Sequence, residues 1–260
     1  MNIAIALRTC GSVHNYWGVK RIVDDSKDTI ILTCLNSLLK SIKASKHNIT
    51  LSIHDDNSGT ELLKEIDDLC NSHGCQYQLI NSGRMLNFET QYEWLNQQDC
   101  DYLYMVEDDY LHRENAIDDM VDVCEDMKKF WNGGEYAVLP MNCQNRYNTP
   151  ESHYPSFVLR GRNGYWRSVL HSTSTFFMSK NASIETDEIL RTQAYSWKVN
   201  GSPEHEIINK LWQSDRVRLL SPIHSLAWHL SDDSCRDIIY NWEEVWKSNL
   251  IESNNDEVLK

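Results

Sequence analysis

Short apolar runs and amphipathic stretches alternate through the first half of the chain, the rhythm of βαβ units feeding a mainly parallel sheet. Asn2 to Arg8 reads as a first strand. From Thr29 to Ala44, the residues Ile30, Leu35, Leu38, Leu39 and Ile42 fall at helical spacing, with Asp28 placed to cap the helix. Ile49 to His54 forms a second strand that runs into Asp55-Asp56-Asn57-Ser58-Gly59, and the helical pattern resumes from Thr60 to Cys70. Gln76 to Ile80 is a third strand and Phe88 to Gln97 a further helix. Asp101 to Val106 is a fourth strand, apolar enough for a central place in a sheet covered on both faces. It runs straight into Glu107, Asp108 and Asp109.

The second half is less regular. Asn115 to Trp131 is amphipathic, Gly133-Gly134 marks a turn, and Tyr136 to Pro140 returns as a strand. Asn142 to Arg167 has no clean period and reads as a loop or lid; Ser172 to Met178 is a strand. Helices are expected over Pro203 to Ser214 and Asp237 to Lys247, and the polar stretch Glu252 to Lys260 as a frayed or disordered end. A chain of 260 residues with no linker-like boundary is expected to fold as one α/β domain over 1–260.

Charge narrows the functional classes. The formal net charge is -13, and Lys and Arg are not clustered, which argues against a nucleic-acid partner. A solvated acidic surface accounts for most of the 38 acids, and a divalent-cation site needs only a few of them. The eight cysteines are scattered, and Cys70 and Cys75 lack the spacing of a zinc knuckle or redox motif. No run approaches the roughly 20 apolar residues of a membrane-spanning helix, so no integral membrane segment is expected. The chain opens on a strand without a secretory leader, and a cytoplasmic protein with reduced thiols is the expectation.

Ligands of open α/β sheets bind outside the carboxyl ends of the strands, where two acidic clusters fall here. Asp55 and Asp56 end the second strand, and Glu107, Asp108 and Asp109 end the fourth. Carboxylates crowded together repel one another unless a cation or hydrogen-bond donors compensate them. Glu107 and Asp109 are one residue apart, so in an extended segment both can face one hard cation such as Mg²⁺ or Mn²⁺. The competing reading is an acidic turn capping the next helix.

Over Ile3 to Met120, the order of these elements resembles the nucleotide-binding half of GT-A glycosyltransferases, especially family 2. The likeness rests on Asp55-Asp56-Asn57-Ser58, on Asn81-Ser82-Gly83-Arg84 and on Tyr104-Met105-Val106-Glu107-Asp108-Asp109. It implies a GT-A fold, a Rossmann-like, mixed but mainly parallel sheet flanked by helices. Residues 1–120 would form the nucleotide-sugar half and 121–260 the acceptor half. It further implies that Asp56 or Asp55 holds the base or ribose, that Arg8 and Thr9 line the same pocket, and that Arg84 approaches the diphosphate or sugar. The Asp-x-Asp metal motif carries over onto Glu107, Asp108 and Asp109, with Glu in the first position, leaving Asp109 as the leading ligand for Mn²⁺ or Mg²⁺.

In such enzymes a carboxylate deprotonates the acceptor hydroxyl, and Glu204 and Glu206 compete for that part. A late histidine often completes the metal site; His229 is preferred over His224. Tyr165, Trp166, Trp197 and Trp228 are candidates for stacking on sugar faces. The implied activity is an inverting hexosyl-type transfer from a nucleotide sugar, a UDP-sugar before the others, to a glycan or other hydroxyl acceptor. A retaining transferase, a nucleotidyltransferase and an inactive glycan-binding homologue are the alternatives.

Overall fold

The computed structural model describes residues 1–11, 22–83, 87–131, 134–142, 147, 155–172, 174–214 except 201–206, 216–230, 237 and 240–254. Strands β1 (Asn2–Thr9), β2 (Asn48–Asp55), β3 (Tyr77–Asn81) and β4 (Tyr102–Glu107) alternate with helices α1 (Lys27–Ala44), α2 (Thr60–Ser72) and α3 (Asn87–Gln97). A short β5 (Tyr110–His112) precedes α4 (Ala116–Lys128) and β6 (Glu135–Val138). Then come β7 (Val158–Gly161), β8 (Gly164–Val169) and β9 (Phe176–Ser179). Helices α5 (Lys180–Glu185), α6 (Asp187–Asn200) and α7 (Ile208–Trp212) lead to β10 (Val217–Pro222), β11 (Ala227–His229) and α8 (Trp242–Asn249).

Among the described residues, nine strands form one sheet in the order β3-β2-β1-β4-β9-β6-β10-β8-β7. β1 pairs in parallel with β2 and with β4, so Thr9 stands beside Asp55 and Arg8 beside both His54 and Glu107. β9 is antiparallel to β4 and to β6, and it joins the two parts of the sheet. Steps from β1 to β2 to β3 move one way across the sheet and the step to β4 reverses, so right-handed crossovers put α3 on the face opposite α1 and α2. α1 accordingly packs with α2, α4 and α8, and α3 packs with α6 against β1. Ile3, Ile5, Leu7, Leu51, Ile53, Leu103 and Met105 are buried in the main core.

A second sheet is the antiparallel ribbon of β5 and β11. Leu111 and Trp228 from this ribbon pack with Ile30 and Cys34 of α1 and with Trp242 and Trp246 of α8. This smaller core fixes the ribbon beside the carboxyl end of β4.

The first half follows the expected order within a residue or two, except that Ser26, rather than Asp28, caps α1 by accepting from the Thr29 amide. The expected loop 142–167 contains β7 and part of β8, an antiparallel hairpin. Helices α5 and α6 and the strand β10 are further elements that the sequence pattern did not announce. The expected frayed end is tied down at its start: Ser253 is buried, its amide donates to Thr29 Oγ1 at 3.0 Å, and its hydroxyl donates to Glu65 at 2.8 Å. Residues 255–260 lie outside the described residues.

Candidate functional site at the carboxyl ends of the strands

Parallel pairing brings the carboxyl ends of β2, β1 and β4 side by side, and with them every acid of the two clusters. Asp55, 1% exposed, spends both carboxylate oxygens within the protein. Oδ1 accepts from Thr9 Oγ1 at 2.9 Å and from Ser58 Oγ at 2.5 Å, and Oδ2 accepts from the Ser58 amide at 2.8 Å. Asn57 closes this turn at a φ of 55°, a left-handed conformation that Asn tolerates better than most residues. Thr9 is likewise buried. Asp56 is half-buried, and Asn57 donates to its Oδ1 at 3.3 Å.

The backbone after β1 lies close against this turn. The Gly11 amide donates to Ser58 Oγ at 2.9 Å, and a Cβ on Gly11 would come within 2.3 Å of Leu62 and 2.9 Å of Asp28. A larger residue there would have to displace the ends of those two side chains. Burial, then Asp56 and Asp108, push the neighbouring Cys10 thiol up to about 12, which keeps it protonated and unfit as a nucleophile.

The three consecutive acids take three directions. Glu107 pairs with the Arg8 guanidinium and accepts from Thr175 Oγ1 at 3.1 Å. Asp108 turns back to the Cys10 amide at 2.9 Å and pairs with Lys27. Burial pushes its carboxyl up, while Lys27 and the Cys10 amide pull against that. Asp109 faces the ribbon: its carbonyl accepts from the Leu230 amide at 2.9 Å, and its Oδ1 lies 3.3 Å from His229 Nε2. Burial also raises Asp109, but His229 above all, then Lys27 and Arg8, overcome it and hold the carboxyl below the usual carboxylate range. The His229 ring stacks on Tyr110, the centroids 4.7 Å apart.

Asp109 Oδ1 is buried and, among the described residues, accepts no hydrogen bond of good geometry; His229 Nε2 approaches it at 3.3 Å as an ion-pair partner. A carboxylate oxygen opposite an imidazole nitrogen suits a divalent cation that accepts both O and N ligands, as Mn²⁺ does, so these two residues fit a metal. Among the described residues no three His, Cys, Asp or Glu side chains converge as a ligand set, Glu107 being held by Arg8 and Thr175. His224 lies elsewhere, in a cavity beyond the far end of the ribbon. Arg84, Glu204 and Glu206 are outside the described residues, as is the side chain of Trp197. Lys27 and Thr175, which hold Asp108 and Glu107, come from remote segments and carry no motif that would have marked them.

No family model matches the chain, and no curated protein matches it. Solved structures do. TarS of S. aureus, residues 1-349, superposes with a TM-score of 0.53 at 12% identity, over 85% of this chain and 60% of that one. A longer TarS structure gives 0.54 at 13% identity, over 100% of this chain and 42% of that one. TarS 1-349 in complex with UDP-GlcNAc gives 0.50 at 11%, over 84% and 56%. The chain thus spans between two fifths and three fifths of these proteins. At such identities the likeness concerns architecture, and the architecture is the GT-A glycosyltransferase fold.

Proposed function

We propose that the chain transfers a sugar from a nucleoside-diphosphate sugar to a hydroxyl of a glycan acceptor, with a divalent cation held by Asp109 and His229. The observation that carries this reading is the buried carboxylate of Asp109 at the carboxyl end of β4, whose Oδ1 faces His229 Nε2 at 3.3 Å and accepts no well-formed hydrogen bond among the described residues. The GT-A fold and the complex of TarS with UDP-GlcNAc support a UDP-sugar as the donor. Bound Mn²⁺ or Mg²⁺ supplies Lewis-acid neutralisation of a departing diphosphate.

The protein's own groups then divide the work. Asp55 is occupied in bracing the turn, so Asp56, half-buried beside it, is the carboxylate for the ribose or base. Arg8, fixed by Glu107, sets positive charge at the donor end, and Arg84 is assigned to the diphosphate. One of Glu204 and Glu206 takes the proton of the attacking acceptor hydroxyl, in a single displacement that inverts the anomeric centre. Cys10, Cys34, Cys70, Cys75, Cys100 and Cys124 are all free thiols, which supports a reducing, cytoplasmic setting. Among the described residues no helix is long and apolar enough to cross a membrane.

Titration calorimetry of UDP, GDP, CMP and dTDP with and without Mn²⁺ tests the reading. UDP is expected to bind in the presence of metal, and Asp109→Ala or His229→Ala to weaken that binding by about tenfold to a hundredfold. A wild-type protein that binds none of the four with Mn²⁺ present overturns it.

A further inference from the structure

The chain that follows α8 runs back along α1. It leaves the helix at Leu250, whose φ of -53° and ψ of 125° are extended. Thr29, Thr33, Asn36 and Lys40 stand at helical spacing on one face of α1, and each meets a backbone group of the passing chain. Lys40 donates to the Ser248 carbonyl at 2.9 Å, and Asn36 to the Asn249 carbonyl at 2.9 Å. The Ile251 amide donates to Thr33 Oγ1 at 3.1 Å, and the Ser253 amide to Thr29 Oγ1 at 3.0 Å. Four residues of helix rise about 6 Å and two of extended chain about 6.6 Å, so alternate amides meet successive threonines in register. Helix α2 grips the far end. Glu65 accepts from the Ser253 hydroxyl at 2.8 Å and from the Asn254 amide at 2.7 Å.

This strap is tied by polar groups. Thr29 and Thr33 are buried beneath it, whereas Leu250 is 39% exposed, Glu252 is exposed and Ile251 is only partly buried against the main core. A segment held by hydrogen bonds rather than by apolar area is drawn from the low-stability end of a fold and opens without global unfolding.

The strap ends where the donor end begins. Thr29, its last partner on α1, belongs to the same first turn as Lys27, which pairs with Asp108, and as Asp28, which lies against Gly11. The turn is otherwise closed by Ser26, which accepts from the Thr29 amide at 3.1 Å through its hydroxyl and from the Ile30 amide at 3.0 Å through its carbonyl. With the strap in place, the Thr29 side chain is held from the tail while its amide is held from the cap.

We infer that residues 250–254 are a latch: closed along α1 and α2, it fixes the first turn of α1 and with it Lys27 at the donor end, and its opening loosens that turn. That the latch governs nucleotide binding rests on the transferase reading; that it governs the order of the turn does not.

The test is amide hydrogen exchange of the whole chain as wild type, Glu65→Ala and Thr33→Val, with calorimetry of UDP plus Mn²⁺ on the same samples. The two substitutions act on the strap from opposite sides, and neither residue belongs to the donor end. Measured against Ile5 and Leu7 of β1, exchange at Ile251 and Ser253 is expected to quicken about tenfold in each variant, the worth of one hydrogen bond, and at Thr29 and Ile30 about threefold. UDP is expected to bind each variant about threefold to tenfold more weakly, because the turn must be ordered on binding. Unchanged exchange at Thr29 and Ile30 in both variants overturns the inference. Faster exchange there with unchanged UDP affinity overturns the link to the donor end. A wild-type chain that binds no UDP sinks the transferase reading alone, and the exchange rates still decide the latch.

Discussion

Asp55 braces the carboxyl end of the sheet with three hydrogen bonds from Thr9 and Ser58. Replacing it by Ala leaves buried donors unsatisfied and is expected to cost about 3 kcal/mol, read as a shift in the urea midpoint. Asp119 makes a different prediction. Burial first, then Asp122 and Asp118, raise its carboxyl to about 6 against the pull of Arg113 and Asn163. The folded state therefore holds this proton more tightly than the unfolded chain, whose aspartates titrate near about 3.9. Stability linked to it appears as pH falls through 6 and is absent at pH 7. Wild type is expected to gain stability relative to Asp119→Asn between pH 7 and pH 5; equal pH dependence of the two urea midpoints would contradict this. At this scale the sequence was a partial guide. Adjacent acids at a strand end are visible in a string of residues, but Lys27 and Thr175 reach them across 81 and 68 positions, and only the folded chain shows those pairs.

The elements of the first half were legible because each strand of a parallel sheet is apolar on both faces and each helix between them carries one apolar stripe. Past residue 140 the strands are short and, apart from the parallel pairing of β10 with β6, antiparallel; β7 exposes Val158 and Arg160, so four residues bounded by glycine show no period that stands out from a loop. Helices α5 and α6 follow one another with only Thr186 between them, and their start is set by a cap rather than by hydrophobic spacing. Ser179 makes that cap, accepting from the Ala182 amide at 3.0 Å, and its hydroxyl also donates to Glu135 of β6 at 2.7 Å. Ser179→Ala removes both and is expected to lower stability by about 1 to 2 kcal/mol, with the loss visible in thermal denaturation. A variant as stable as wild type would show that β9 and its packing position α5 without the cap.

Across the whole molecule the sheet is stiffest where both neighbours are present on each side of a strand. β1 and β4 lie inside, while β3 and β7 are edges. Amide hydrogen exchange is expected to be slowest at Ile5, Leu7, Leu103 and Met105 and markedly faster at Leu79 and Val158; a uniform pattern would contradict the strand order. The position of β9 has a consequence in time. It occupies residues 176–179 yet lies between β4 and β6, so the two parts of the sheet stay unconnected until some 70 residues beyond β4 have been made. A nascent or refolding chain must keep the open flank of β4 waiting, exposed to any other extended segment that reaches it first. Folding speed, and the protection this chain needs while it folds, are set by the arrival of four residues.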